Sequence, residues 1–132
     1  MRFIPTNIHA ILDYVIGAAL ILAPFVLGFD TGGAAMWVPI IIGAGIIAYS
    51  LFTRYEYSIS NNIDMRTHLG LDALAGVVLA VSPWVFGFSE LVWAPHLIVG
   101  LFEIGTALTT RLESRPRGTS RRGVGREERT AA

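Results

Sequence analysis

Four runs of this chain carry almost no polar residues, and each is about as long as a bilayer is thick. Residues 8–29 are apolar apart from His9 and Asp13. As a helix they rise about 33 Å, enough to cross a hydrocarbon core of about 30 Å. Residues 34–52, 69–88 and 91–112 repeat the pattern. The first run follows Arg2 as a secretory signal would, but it is longer than an ordinary signal core and recurs in mid-chain, so it reads as a retained helix. The one long connection, RYEYSISNNIDMRT at residues 54–67, has the charged, Ser and Asn content of a solvated loop. Residues 30–33 and 89–90 leave room only for tight hairpins. The pattern predicts an all-α polytopic membrane protein with four transmembrane helices.

The runs are also copies of one another. A shift of 59 residues superposes His9 on His68, Leu12 on Leu71, Asp13 on Asp72, Gly17 on Gly76, Leu20 on Leu79, Pro24 on Pro83, Val26 on Val85, Gly28 on Gly87 and Phe29 on Phe88. So many identities within one helix length mark a duplication. The second helices match more loosely: Trp37 and Pro39 answer Trp93 and Pro95, and Arg54 and Glu56 answer Arg111 and Glu113 after a one-residue slip. Each unit has two spans, so both insert the same way up, as tandem parallel repeats about an axis along the membrane normal. The organisation expected is residues 1–56 as the first repeat, 57–67 as a cytoplasmic loop, 68–113 as the second repeat and 114–132 as a tail.

Ser82, Pro83 and Trp84, followed by an aromatic, apolar and glycine run on the first span of a duplicated pair, resemble the signature of the SPW-repeat membrane proteins. The first copy departs from it, with Ala23, Pro24 and Phe25. The resemblance spans most of residues 9–112. It implies an integral membrane protein of unassigned activity and supplies no catalytic residues.

Composition sharpens the picture. With 53% hydrophobic and 15% charged residues and a mean hydropathy of +0.57, the chain is too apolar to cover a small soluble fold. The formal net charge of zero hides an asymmetry, because there is no lysine and six of the ten cationic residues are arginines between positions 115 and 129. Arg2, Arg54, Arg66 and that tail fall on one side of the four spans and none falls in the two short connections, which predicts cytoplasmic termini in a cell, or inner, membrane. Aromatic belts agree, with Phe25, Phe29, Trp37, Trp84, Phe88 and Trp93 at the outer boundary and Tyr49, Tyr55 and Tyr57 at the inner one. The Arg-rich tail is expected to be disordered. It could rest on anionic lipid, and it lacks the interleaved aromatics of a nucleic-acid binder. Cysteine is absent, so disulfides, thiolate metal sites and thiol redox chemistry are excluded.

Candidate chemistry lies on one stripe. Residues 9, 13, 17, 20, 24 and 28 fall within about 100° of arc on a helix. That face carries His, Asp and Gly, so the first and third spans turn it from lipid toward the centre of a four-helix bundle, where Gly17 and Gly28 let a neighbouring helix approach and Gly17 and Gly76 bring the two hairpins together. Pro24 and Pro83 leave the carbonyls of Leu20 and Leu79 without amide partners near the outer helix ends, where each helix is expected to kink. Ser82 could satisfy one of those carbonyls, and Trp84 sits at headgroup level. His9 with Asp13, and His68 with Asp72, are i, i+4 pairs. Three roles compete for them: a lock completed by a boundary arginine such as Arg54 or Arg66, a proton or ion relay, and haem ligation by His9 and His68. His96, Gly100 and Glu103 form a second polar stripe nearer mid-bilayer, where a carboxyl must be neutral or paired. No catalytic constellation is complete, no cofactor is called for, and three histidines on three helices do not by spacing make a metal site. The expectation is a non-enzymatic structural or partner-binding module whose partners are lipid, a second copy or another membrane protein. A small proton or ion conductor using Glu103 and the Asp13 and Asp72 pairs is the alternative.

Overall fold

A computed structural model describes residues 2–54, 57–60 and 62–112; Tyr55, Glu56, Glu113 and the Arg-rich tail lie outside the described residues. Four helices follow in order: α1 (Thr6–Leu27), α2 (Ala34–Leu51), α3 (Met65–Val85) and α4 (Ala94–Thr109). No strand forms among the described residues, only two isolated bridges. The three long helices are apolar enough to cross a membrane, and α4 is a shorter apolar helix of 16 residues.

Two boundaries differ from the hydropathy pattern for local reasons. α3 begins at Met65, inside the expected loop, because the Asp64 carboxylate caps it, accepting from the amides of Arg66 (2.9 Å) and Thr67 (3.1 Å) and from the Thr67 hydroxyl (2.9 Å). Those donors, the Thr67 amide first, hold the Asp64 carboxyl below the usual carboxylate range. The cap is therefore in place above the ordinary carboxylate pKa and is lost as pH falls through the depressed one. α4 starts later than expected because residues 89–91 are turn and Pro95 stands in its first turn, where a missing amide costs nothing.

The duplicated prolines and glycines end α1 and α3 by one device. Gly28 and Gly87 have φ of 75° and 71°, a left-handed conformation that favours glycine. The following amides, of Phe29 and Phe88, donate back to the carbonyls of Pro24 (2.9 Å) and Pro83 (2.8 Å). Both phenylalanines thereby fold inward and are buried. Ser82 Oγ donates to the Leu79 carbonyl (2.8 Å), the one that Pro83 leaves without an amide. Trp84 is half exposed, with its ring centroid 6.4 Å from that of Trp93.

Packing is closest within each hairpin, α1 on α2 and α3 on α4, and α2 meets α3 less extensively. Gly17 faces Gly43, and Gly76 faces Gly100. A Cβ at Gly43 would lie 2.5 Å from the Gly17 carbonyl oxygen, and one at Gly100 would lie 2.5 Å from that of Gly76. This corrects the expectation that Gly17 and Gly76 draw the two hairpins together: they close the seam inside each hairpin. Small apolar clusters cross between hairpins, notably Leu20, Ile46 and Leu79, and Ala10, Met65, Leu69 and Ala107.

The ends of the repeats are exchanged. Ile4 pairs with Thr110, and Ile63 pairs with Thr53. Arg111 N donates to the Ile4 carbonyl (3.0 Å) and Arg54 N to the Ile63 carbonyl (2.9 Å). The lead-in of each repeat is thus tied to the tail of the other.

The surface is inverted relative to a water-soluble fold. Val26, Leu27, Ile41, Leu74, Ile98 and Leu108 are each at least 60% exposed, whereas three histidines, two aspartates and a glutamate are buried. Apolar side chains outside and ionisable ones inside are what a hydrocarbon solvent selects.

Candidate functional site

Four of the sequence candidates meet at one point. His9 and Asp13 come from α1, His68 and Asp72 from α3, and each is at most 1% exposed. Helical spacing pairs each histidine with the aspartate one turn on, but folding gives each a nearer partner in the other repeat. His9 Nε2 stands 2.9 Å from Asp72 Oδ2 and 3.4 Å from Asp13 Oδ1. His68 Nε2 stands 2.9 Å from Asp13 Oδ2 and 3.2 Å from Asp72 Oδ2. The four residues form a closed ring with pseudo-two-fold symmetry.

Hydroxyls surround the ring, and the backbone assigns their protons. Thr110 Oγ1 donates to the Thr106 carbonyl (2.7 Å), so toward His9 Nδ1 at 3.0 Å it can only accept. Thr53 Oγ1 donates to the Tyr49 carbonyl (2.8 Å) and accepts from His68 Nδ1 at 2.8 Å. Both imidazoles therefore carry a proton at Nδ1 and turn Nε2 inward to the carboxylates. Ser50 Oγ donates to Asp13 Oδ2 (3.1 Å), and the Tyr49 hydroxyl donates to Asp72 Oδ1 (2.5 Å).

Asp72 takes its contacts from His9, His68 and Tyr49, and no arginine among the described residues stands within ion-pair distance of it. For Asp72 the expected boundary arginine is thus replaced by a tyrosine of α2. The haem reading does not fit, because both Nε2 atoms touch Asp72 Oδ2, which fills the space a planar macrocycle would need, and the rings lie edge-on at 5.4 Å. The spacing of the three histidines points to no metal site, but the fold brings together His9, Asp13, His68 and Asp72, whose ligand atoms all lie within 4.8 Å of one another.

His96 and Glu103 stand apart from the ring. His96 Nε2 donates to the Ala35 carbonyl at 3.2 Å, between Phe29 and Phe88, whose ring centroids lie 5.5 Å and 5.0 Å away. Its Nδ1, and Glu103 Oε2, are buried without a hydrogen-bond partner. Along α4, Glu103 falls midway between His96 and Thr110, about 10 Å from each. Its repeat counterpart Ile46 is an ordinary core residue.

Sequence reading missed Thr53, Thr110, Ser50 and the ring role of Tyr49. The signal for the threonines was present: the slip that sets Arg54 on Arg111 also sets Thr53 on Thr110.

A duplicated hairpin, an apolar exterior and a buried ionic ring define a multi-pass membrane protein. The chain belongs to the SPW repeat family, whose domain model matches residues 7–110. No curated protein and no solved structure matches it.

Proposed function

We propose that this protein is a non-enzymatic structural or partner-binding module of the cell membrane, in which the His9, Asp13, His68 and Asp72 ring clasps two hairpins into one closed body. The observation that carries this reading is the completeness of the clasp. Every ring side chain has partners from both repeats or from the hydroxyls behind it, and none reaches solvent. Lipid offers hairpins little hydrophobic drive to associate, so such polar contacts carry much of the specificity. Arg2, Arg54 and Arg66 support an orientation with both termini in the cytoplasm. Cysteines placed at residues 57–60 should then be labelled by an impermeant maleimide only after the cells are opened. Labelling of intact cells would reverse the orientation.

One observation favours a second reading, proton conduction. Glu103 Oε2 and His96 Nδ1 are buried and unpartnered on the same helix, and ionisable groups within a membrane are suspects for a relay. Reconstitution in liposomes with an enclosed pH-sensitive dye separates the two. The closed module predicts no proton flux above that of empty liposomes. Flux in wild type that Glu103→Gln abolishes would replace the module with the conductor.

A further inference from the structure

We propose that the ring is a binding site for a single divalent transition-metal cation of the zinc class, held by Nε2 of His9 and His68 and by the carboxylates of Asp13 and Asp72. The inference depends on the closed-module reading for what the ion holds together, α1 to α3 across the hairpin seam, but not for its binding.

Geometry is the first argument. A tetrahedral ion with ligands at about 2.0–2.1 Å keeps its donor atoms about 3.3 Å apart. With Oδ2 as the donor atom of Asp13, three nitrogen–oxygen edges are 2.9, 2.9 and 3.2 Å, and one ligand atom from each of the four residues lies within 4.8 Å of the others, so modest side-chain adjustments bring the set to such a cage.

The second argument is the supply of protons. Thr53 and Thr110 spend their own hydroxyl protons on backbone carbonyls and so take the Nδ1 proton of each imidazole. Nε2 of each imidazole faces the carboxylates at 2.9 Å; without an ion it carries a second proton and donates to them, and a bound cation would displace those two Nε2 protons. One divalent cation meets all four and cancels both carboxylate charges in a site closed to water.

The surroundings are those of a metal site. Histidine ligands characteristically donate their other ring N–H to a fixed acceptor, and ligating carboxylates accept hydrogen bonds of their own. Here Thr53 and Thr110 serve the imidazoles, while Ser50 and Tyr49 serve the carboxylates. Two imidazoles disfavour magnesium and calcium, and the absence of sulfur ligands disfavours Cu(I). Four protein ligands leave no open position, which suits a structural rather than a catalytic ion.

The test uses the full chain purified in mild detergent without chelators. Elemental analysis should find one zinc-class ion per chain. After stripping and reloading with Co²⁺, the visible bands of a tetrahedral site should appear. Asp13→Asn with Asp72→Asn should lose the ion, and Glu103→Gln, outside the ring, should keep it. Because the aspartate variants could fail to fold, Thr53→Val with Thr110→Val supplies a milder probe: all four ligands remain, and metal affinity should fall about 10–100-fold. Wild-type protein that is metal-free as purified and takes up neither Zn²⁺ nor Co²⁺ overturns the proposal, as does full metal retention in the double aspartate variant. Metal-free wild type that still blocks proton flux removes the ion and keeps the module. Metal-loaded protein that conducts does the reverse.

Discussion

Asp13→Leu should cost about 3–5 kcal/mol of stability, the loss typical when one member of a buried ionic set is deleted and its partners stay buried. The substitution takes Asp13 Oδ2 from His68 Nε2, leaving it the longer contact to Asp72, and from the Ser50 hydroxyl. Asp13→Asn should be the milder change, since its amide oxygen still accepts from Ser50. Unfolding in a graded series of denaturing detergent, followed by circular dichroism, would rank the two variants against Val15→Ala on the exposed face of α1. If Asp13→Leu unfolds alongside that control, the ring does not hold the hairpins together.

The second large effect concerns the seam within each hairpin. Gly100→Ala places a methyl group 2.5 Å from the Gly76 carbonyl oxygen and 2.7 Å from the Ala80 amide nitrogen. Both are backbone atoms that cannot rotate away, so α3 and α4 must separate, at a cost of about 1–3 kcal/mol. Gly76→Leu or Gly17→Leu should cost more. At Gly105, also in α4, a Cβ would meet nothing within 4 Å, and Gly105→Ala should leave stability unchanged or raise it by about 0.5–1 kcal/mol. Equal melting temperatures for Gly100→Ala and Gly105→Ala would refute the close contact.

The helices and the duplication were legible because hydrocarbon imposes long apolar runs, and a copied run repeats its exceptions: His9, Asp13, Gly17 and Pro24 recur as His68, Asp72, Gly76 and Pro83. The partners of those exceptions were harder to read. Spacing along one helix makes His9 and Asp13 obvious neighbours, yet the shorter contact of His9 is to Asp72, and nothing in a one-dimensional period reports a crossing between repeats. Thr53 and Thr110 looked like ordinary polar residues at helix ends. Asp64 lay hidden as a cap inside a loop whose other residues carry the same composition. Gly17 and Gly76 were recognised as contact points but assigned to the wrong neighbour, since a glycine shows that a helix comes close without showing which.

The exchanged ends constrain how this protein can be made. His9 finds its threonine at position 110, and Ile4 finds its bridging partner at the same residue. During synthesis the first helix can meet Ser50, His68 and Asp72 once the third helix is made, but its histidine must wait for its threonine until almost all of the described chain has emerged. Closure comes at the last moment, when the newest residues return to fasten the oldest.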